Sequence, residues 1–270
     1  MFGDKKVSAI LLAGGAGRRM GSDVNKVFLS LRSMQAQVLF FPLAALCRHE
    51  YVDEIIIVCR AEDREDLDAL IGGVCGDGVC GDEISGISGD SGVVGENLTA
   101  KFKTPIKVVV GGENRYDSVY NGLLCATGDI ALIHDGARPI LKRRIISDCV
   151  EAMEDFHGAI VGLRNVDRLC SVDESGLIVE NAEFPENVFL VQTPQCFHTK
   201  IIKECHEKVS EKSDVKDDST LLELCGYKVK MLPGDKSNIK ITYSDDLDII
   251  EHYIQNDEEM IGLLGLAGEF

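Results

Sequence analysis

Two arginines and a lysine lie in or beside a glycine-rich turn near the start of this chain. The stretch LLAGGAGRRMG, residues 11–21, contains Arg18 and Arg19, and Lys26 follows soon after. Glycines at the end of a buried strand let a phosphate approach bare backbone N–H groups. Three cations here suit a phosphoryl centre on which negative charge builds during group transfer. The alternative is that both arginines are solvated loop charges.

Two common glycine motifs do not match this turn. A dinucleotide fingerprint needs G-x-G-x-x-G, and Met20 occupies the third glycine position after Gly15 and Gly17. A P-loop needs Gly-Lys followed by Ser or Thr, and here Gly21 is followed by Ser-Asp. The turn therefore predicts a phosphate site of another kind.

Three further polar clusters follow apolar β-type runs, at the strand ends where open α/β sheets bind ligands. They are GGENRYDSV (111–119), HDGARP (134–139) and GDKSNIKIT (234–242). We interpret NIKIT as a strand, in which Lys240 would point away from its apolar neighbours and into a cleft. In HDGARP, we expect Arg138 to brace its loop through an ion pair.

The strands and helices that would hold these clusters in place follow from the apolar pattern. Five β-type runs alternate with helix-length segments: VSAILLA (7–13), VDEIIIVC (52–59), PIKVVVGG (105–112), DIALIHDG (129–136) and GAIVGL (158–163). This rhythm predicts an α/β fold with a mostly parallel sheet sandwiched by helices.

Two segments interrupt the alternation. Residues 72–98 hold nine glycines and five acids without a Lys, Arg or aromatic residue, which predicts a flexible surface insertion. A calcium loop is the alternative, but the oxygen-ligand spacing of an EF-hand is missing.

The second segment is residues 168–181, RLCSVDESGLIVEN, which has two short β-type runs around a turn. This pattern predicts a projecting hairpin, part of an arm at about 164–187.

Composition limits the classes of partner and compartment. The 270 residues, 45% of them hydrophobic, suffice for a sizeable core, and we treat 1–270 as a single domain. The formal charge of −17 argues against general binding of nucleic acid or anionic membrane. From the sequence we expect no cleavable signal, and no apolar run approaches the roughly 18 to 20 residues that span a bilayer. Ten cysteines without a CxxC pair predict reduced thiols in a cytoplasmic protein.

Five motifs in order carry a family resemblance. LLAGGAGRRMGSDVNK, GGENRYDSVYNGL, IHDGARP, QTPQCF and DDSTLLELCGYKVKMLPGDKSNIKIT span nearly the whole chain and resemble the 2-C-methyl-D-erythritol 4-phosphate cytidylyltransferases of the non-mevalonate isoprenoid route. The resemblance implies a Rossmann-like nucleotidyltransferase fold, CTP as substrate, Mg²⁺ as cofactor and a homodimer joined by the hairpin arm. It implies transfer of CMP to a small polyol phosphate with release of pyrophosphate.

The resemblance also assigns the nucleotide side of the site. The glycine turn would wrap the triphosphate, the 112–118 cluster would hold the base and ribose, and Asp135 would hold Mg²⁺. The cations would stabilise the charge that develops during transfer. Apart from the resemblance, we expect Arg18 to be a solvent-facing loop charge that points away from the nucleotide. The implied contacts are Ala13, Gly14, Gly15, Gly17, Gly112, Glu113, Ser118 and Gly136, and the implied catalytic residues are Arg19, Lys26 and Lys240.

The acceptor side departs from the family pattern. Thr193 and Lys240 remain as implied acceptor contacts, but the arginine usual upstream of TPQ is missing near Pro185. Lys216, Arg164 or Arg168 could supply the missing positive charge. The Pro and Gln usual on either side of the first lysine are replaced by asparagine and valine, at positions 25 and 27.

Two other functions fit parts of this pattern. One is a ribitol-5-phosphate cytidylyltransferase that makes CDP-ribitol, since those relatives share the order of the motifs; LELCGYKVKML favours the erythritol branch. The other is a catalytically silent nucleotide-binding subunit, against which the joint presence of Arg19, Lys26, Asp135 and Lys240 argues.

Overall fold

The apolar runs of the sequence form strands of one sheet. The computed structural model describes residues 2–15, 25–75, 104–181, 187–209 and 215–265. The strands are β1 (Val7–Leu12), β2 (Ser30–Leu31), β3 (Ala36–Gln37), β4 (Val52–Cys59), β5 (Ile106–Val110), β6 (Ile130–Asp135), β7 (Gly158–Arg164), β8 (Cys170–Val172), β9 (Ile178–Asn181), β10 (Phe189–His198) and β11 (Val229–Pro233). The helices are α1 (Phe40–Arg48), α2 (Arg64–Cys75), α3 (Arg115–Cys125), α4 (Arg143–Glu151), α5 (Thr199–Lys208), α6 (Asp218–Leu224), α7 (Asp246–Gln255) and α8 (Glu258–Leu263).

Several sequence predictions lie outside the described residues. These are the predictions for Gly17, Arg18, Arg19 and Pro185, and those for residues 76–98 of the insertion. The insertion predicted for residues 72–98 starts later than predicted, because residues 72–75 belong to α2.

The seven-stranded sheet has the order β11-β7-β10-β6-β1-β4-β5. Strand β10 runs antiparallel to β6 and β7, and the other neighbouring pairs are parallel. All five predicted strand runs belong to this sheet, as β1, β4, β5, β6 and β7. The prediction of a mostly parallel α/β sheet is therefore confirmed.

Helices cover both faces of the sheet, which explains why apolar residues predominate in its strands. Side chains of β1 alternate between two cores: Ala9 and Leu11 join one, and Ile10 joins the other. The first core receives apolar residues from α1, α2, α4, α7 and α8, and the second receives them from α3, α5 and α6. No helix within the described residues is long and apolar enough to cross a membrane.

The predicted hairpin is present as a separate two-stranded sheet. Strands β8 and β9 pair antiparallel, with Cys170 opposite Asn181. The carboxylate of Asp173 closes the turn by accepting the backbone N–H groups of Ser175 and Leu177 at 2.9 and 3.0 Å. Gly176 has a φ of +86°, in the left-handed region that favours glycine. The sequence pattern thus located both the strands and the turn.

The strand predicted around Lys240 is wrong. Residues 234–242 form a loop with a turn at 236–237, and this loop passes the carboxyl ends of other strands without pairing with one. The N–H of Gly234 donates to the carbonyl of Gly162 at 2.8 Å, and the N–H of Ile241 donates to that of Ala137 at 2.9 Å. Because these partners belong to different elements, no ladder forms.

A buried carboxylate joins the strands at the amino-terminal edge of the sheet. Glu54 accepts hydrogen bonds from the hydroxyl of Ser8 at 2.5 Å, the N–H of Thr127 at 2.7 Å and Nζ of Lys107 at 2.9 Å. Burial alone would raise the pKa of Glu54, but these hydrogen bonds outweigh burial and lower the pKa to about 2. One ionised group therefore holds β1, β4, β5 and the loop after α3 together.

We expect Glu54→Gln to lower the free energy of unfolding at neutral pH by about 2 kcal/mol, because the donors around it lose a charged acceptor. The folded-state pKa lies below the unfolded value of 4.5, so this stabilisation is present above that pH and is lost as the pH falls toward 2. The difference between variant and wild type should shrink over the same range. Urea unfolding at a series of pH values measures it.

Asp148→Asn is the matched control. Asp148 lies on α4, is 36% exposed and pairs with Arg144. Its replacement should change the free energy of unfolding by less than about 0.5 kcal/mol, because exposed ion pairs contribute little. Equal losses in the two variants would contradict the role given to Glu54.

Candidate functional site

A cavity of about 520 Å³ opens at the carboxyl ends of β1, β4 and β6. Its walls come from the glycine turn after β1, the loop and first turn of α3, the end of β6 and the 240–242 loop. The predicted site residues that it brings together are Gly14, Gly15, Lys26, Gly112, Glu113, Ser118, Asp135 and Lys240. Four distant motifs of the sequence thus meet at one edge of the sheet, where α/β folds place ligands.

Four predicted contacts do not line this cavity. Ala13 is fully buried behind the glycine turn, and its N–H donates to the carbonyl of Val58 at 2.7 Å. Gly136 lies under the floor, where an added Cβ would come within 2.8 Å of the Leu12 carbonyl oxygen. Thr193 is buried below Asp135. Lys216 is not among the residues that line the cavity.

Asp135 is the negative centre of the cavity floor. Its carboxylate lies 2.7 Å from Nζ of Lys240, 3.5 Å from Nε of Arg115 and 3.9 Å from Nε of Arg138. Burial would raise the pKa of Asp135, but Arg115 and Lys240 outweigh it and hold the pKa well below its ordinary value. The carboxylate is therefore ionised and holds several cations in place.

Lys240 faces Asp135 because its neighbours face the core. Ile241 is fully buried, and Ile239 packs against the same core. The alternation expected of a strand thus holds locally in this loop, although no strand is present. Nζ of Lys26 donates to the carbonyl of Ile241 at 2.6 Å, so the same loop anchors both lysines.

Arg115 is a site residue that the sequence interpretation missed. It lines the cavity, and its Nη2 lies 2.8 Å from the carboxylate of Asp218. Asp218 and Asp135 raise the pKa of Arg115 more than burial lowers it. A cation in the first turn of a helix opposes the helix dipole, so its placement needs nearby carboxylates. A positively charged residue at a predicted helix start was therefore the signal in the sequence that could have indicated Arg115.

Arg138 braces its loop, as predicted. Nη1 donates to the carbonyl of Asn238 at 2.8 Å, and Nε lies 3.9 Å from Asp135. The first contact ties the β6 end to the loop that carries Lys240. Arg138 does not line the cavity.

A buried hydrogen-bond chain fixes the backbone of Asp135. The N–H of Asp135 lies 3.1 Å from Oγ1 of Thr193, which lies 3.1 Å from Nδ1 of His134, and Nε2 of His134 lies 3.0 Å from the carbonyl of Arg138. Burial lowers the pKa of His134 to about 4, so the ring is neutral at physiological pH. These partners assign the proton to Nε2 and leave Nδ1 to accept from Thr193.

The glycine turn is held by a second residue that the sequence interpretation missed. Nδ2 of Asn25 donates to the carbonyl of Ala13 at 2.6 Å and to the carboxylate of Asp63 at 2.7 Å. The guanidinium group of Arg60 donates to the same carboxylate through Nε and Nη2, at 2.7 and 2.6 Å. This network fixes both ends of the turn, at Ala13 and immediately before Lys26.

The 112–118 wall is tightly packed. An added Cβ at Gly112 would lie 2.3 Å from Cβ of Asp117, so only glycine fits there. Oγ of Ser118 accepts the N–H of Gly112 at 3.1 Å and donates to the carbonyl of Asn114 at 2.8 Å. Asn114 caps α3 by accepting the N–H of Asp117 at 3.0 Å. Ser118 therefore shapes this wall in addition to lining the cavity.

One carboxylate of this cavity suits a magnesium ion. Mg²⁺ often binds one or two carboxylates, and phosphates and water supply its other oxygen ligands. The ionised Asp135 fits that requirement at the cavity floor. The described ranges, this cavity included, hold no group of three or more His, Cys, Asp or Glu side chains placed for a metal, so the other ligands would come from phosphates and water. The cavity thus combines cations for phosphates with one hard oxygen ligand.

Comparisons with known proteins agree with this arrangement. Residues 7–256 match the sequence model of the family described as 2-C-methyl-D-erythritol 4-phosphate cytidylyltransferase (IspD). A protein of that name from Clostridium botulinum strain Okra is 34% identical over 253 residues, which is 93% of this chain and 98% of the relative. One from Caldanaerobacter subterraneus is 34% identical over 256 residues, or 92% and 99% of the two chains.

Solved structures show the same fold. The 4-diphosphocytidyl-2C-methyl-D-erythritol synthase of Anaerococcus prevotii has a TM-score of 0.72 at 25% identity, over 93% of this chain and 96% of that one. The 2-C-methyl-D-erythritol 4-phosphate cytidylyltransferase of Thermus thermophilus has a TM-score of 0.65 at 22% identity, over 91% and 98%. On these matches, which cover most of its length, the chain belongs to the 2-C-methyl-D-erythritol 4-phosphate cytidylyltransferase family.

Proposed function

We propose that this chain transfers the CMP group of CTP to 2-C-methyl-D-erythritol 4-phosphate, in the synthesis of isoprenoid precursors. An oxygen of the acceptor phosphate bonds to the α-phosphorus of CTP, the bond from that phosphorus to the β-phosphate oxygen breaks, and pyrophosphate leaves. The supporting observation is that Lys26, Arg115 and Lys240 meet in one cavity with two glycine-rich walls, in a chain of this family.

In this proposal, the glycine turn binds the triphosphate of CTP. Gly14 and Gly15 line the cavity, and backbone at such positions can approach phosphate oxygens closely. Gly112 and Glu113 would meet the cytosine edge, with Ser118 beside the base or ribose. Ala13 and Gly136 would support this pocket from below, and Gly17 and Arg19 would complete the turn around the phosphates.

Charge stabilisation accounts for the rate in this proposal. Lys26 and Lys240 compensate the charge that develops on the α-phosphate and on the leaving pyrophosphate, and Arg19 shares that role. No general base is needed, because the acceptor phosphate already carries a nucleophilic oxygen. Catalysis then comes from alignment of the two phosphates and from cations that are held in place before the substrates bind.

Asp135 would hold Mg²⁺ together with the phosphates of CTP. The ion, when bound, neutralises phosphate charge and polarises the phosphoryl oxygens. The chain contributes the orientation of this carboxylate, through the chain of hydrogen bonds from Asp135 to Thr193 and His134. Thr193 thus acts as a positioning residue, and a direct contact of Thr193 or Lys216 with the acceptor stays a prediction.

The substrate assignment is tested with a coupled assay of pyrophosphate release in the presence of Mg²⁺. We expect turnover with CTP and 2-C-methyl-D-erythritol 4-phosphate, and kcat/KM lower by about tenfold or more with UTP, because the base edge is held by directional backbone groups. Ribitol 5-phosphate should be a poor acceptor. Faster turnover with ribitol 5-phosphate would assign the chain to CDP-ribitol synthesis, and no turnover with either acceptor would indicate a silent nucleotide-binding subunit.

Replacement of Lys240 tests the proposed charge stabilisation. We expect Lys240→Ala to lower kcat by roughly 100-fold, because one preorganised cation is lost from the transition state. Lys236→Ala is the matched control, since Lys236 is exposed on the same loop and outside the cavity. The control should keep wild-type kcat, and circular dichroism should show both variants folded. A kcat of Lys240→Ala within about threefold of wild type would remove Lys240 from catalysis.

We also propose that the single domain, 1–270, forms a cytoplasmic homodimer through the arm at about 164–187. The arm exposes apolar side chains that a partner would cover: Val166 is 81% exposed, Leu177 67% and Val179 63%. Isolated exposed apolar residues are ordinary, but a cluster on a projecting hairpin is typical of an interface. The described cysteines are all free, which suits a reducing compartment.

Sedimentation tests the dimer. We expect wild type to sediment as a dimer, and Leu177→Asp with Val179→Asp to weaken association by about tenfold or more, because two charges would have to be desolvated in the interface. Leu224→Asp is the control, since Leu224 is 53% exposed on α6, away from the arm. A monomeric wild type at all accessible concentrations would contradict the proposal.

A further inference from the structure

Strand β10 bulges beside the candidate active site, at the carboxyl ends of the parallel strands. The register of its pairing with β7 shifts between Val191 and Gln195, and residues 192–194 lie outside the regular ladder. A bulge releases backbone from the ladder and directs side chains to new partners. Two consecutive residues of this bulge, Gln192 and Thr193, are polar and buried. Gln192 has no part in the site as described so far.

The side-chain amide of Gln192 binds the backbone of the 234–242 loop. Its Oε1 accepts the N–H of Asp235 at 3.2 Å, and its Nε2 donates to the carbonyl of Asp235 at 2.9 Å. Nε2 also donates to the carbonyl of Asn238 at 3.2 Å. A primary amide has one acceptor and two donors, so this group gives Asp235 the pair of bonds that a neighbouring antiparallel strand would give.

Gly234 lets the loop approach this amide closely. A Cβ added at Gly234 would lie 2.3 Å from Oε1 of Gln192, so a larger residue would displace the amide from Asp235. The loop also binds the bulge in the other direction. Nδ2 of Asn238, a fully buried residue, donates to the carbonyl of Thr193 at 2.8 Å. The bulge and the loop therefore fit each other at two points.

Lys240 lies between this contact and a second attachment of the loop. On its carboxyl side, Ile241 is fully buried, and its N–H donates to a carbonyl of the loop after β6 at 2.9 Å. On its amino side, Asn238 is held by the bulge. Loss of the amino-side attachment would let Lys240 move about Ile241 and away from Asp135. Lys26 would be less affected, because its Nζ binds the carbonyl of Ile241.

We propose that Gln192 is a positioning residue for Lys240 in cytidylyl transfer, a role that rests on the proposed function. The amide holds the backbone at Asp235 and Asn238 and thereby places the ammonium group of Lys240 in the cavity. Arg138 also binds the carbonyl of Asn238, at 2.8 Å, so loss of the amide loosens the loop without releasing it. A displacement of about 1 Å at a reacting centre can cost up to about 100-fold in rate.

A double-mutant cycle with Lys240 tests this role. We expect Gln192→Met, which keeps the length of the side chain and removes the amide, to lower kcat by about tenfold and to leave the KM for CTP within about threefold of wild type. In the Lys240→Ala background, the same substitution should lower kcat by less than about twofold, because no ammonium group remains to be positioned. Equal losses in the two backgrounds, or a wild-type kcat in Gln192→Met, would overturn the proposal.

Gln195→Met is the matched control for a lost buried amide. Gln195 is a buried glutamine of the same strand, and its Nε2 donates to the carboxylate of Asp217 at 2.9 Å. This variant should keep kcat within about threefold of wild type, although it too loses a buried hydrogen bond. Gly234→Ala is a second route to the same change, because its methyl group displaces the amide of Gln192. It should reproduce the loss of kcat, and a wild-type kcat would contradict the role of the amide.

Hydrogen exchange followed by NMR tests the hold on the loop without use of activity. The N–H of Asn238 donates to the carbonyl of Asp235 at 3.1 Å. It should exchange about tenfold or more faster in Gln192→Met, whereas the N–H of Ile241 should keep its wild-type rate. Unchanged exchange at Asn238 would overturn the proposal even if kcat fell. Absence of turnover in the wild type would instead overturn the proposed function, and exchange at Asn238 would still show whether Gln192 holds the loop.

Discussion

The buried charge of Asp135 is the constraint on which the candidate active site depends. A carboxylate at the floor of a cavity is costly unless cations and hydrogen bonds compensate it. Here the compensation comes from Arg115 at the start of α3 and from Lys240 on the 234–242 loop. Elements far apart in the sequence are therefore held against one point at the end of β6. The same cations that stabilise the folded carboxylate are those that a polyphosphate would meet.

This arrangement makes the site preorganised before any substrate binds. Lys240 is held by Asp135, and Lys26 is held by the carbonyl of Ile241, so neither long side chain has to be ordered by the ligand alone. Preorganised charges stabilise a transition state without the cost of reorientation during the reaction. Arg115 and Arg138 extend the effect, because they connect Asp135 to Asp218 and to the loop that carries Lys240.

Sequence patterns located the strands and most of the cavity, because those features depend on local periodicity and on strand ends. The five apolar runs became five strands, and the four polar clusters met at one edge. The pattern failed where a nonlocal partner decides the outcome. Residues 238–242 alternate like a strand, but the loop that contains them bonds to Gly162 and Ala137 on separate elements. Arg115 and Asn25 were missed because their partners, Asp218 and Asp63, are distant in sequence.

The residue before Lys26 shows how a departure from the family pattern can preserve the geometry of a site. Proline is usual at this position in the family, and its ring fixes φ at about −65°. Asn25 has a φ of −63° and ψ of 122°, which are values that proline also adopts. Its side chain replaces the restraint of the ring with hydrogen bonds to Ala13 and to Asp63. Asp63 is in turn held by Arg60, so the position of Lys26 depends on a buried polar network in place of a covalent ring.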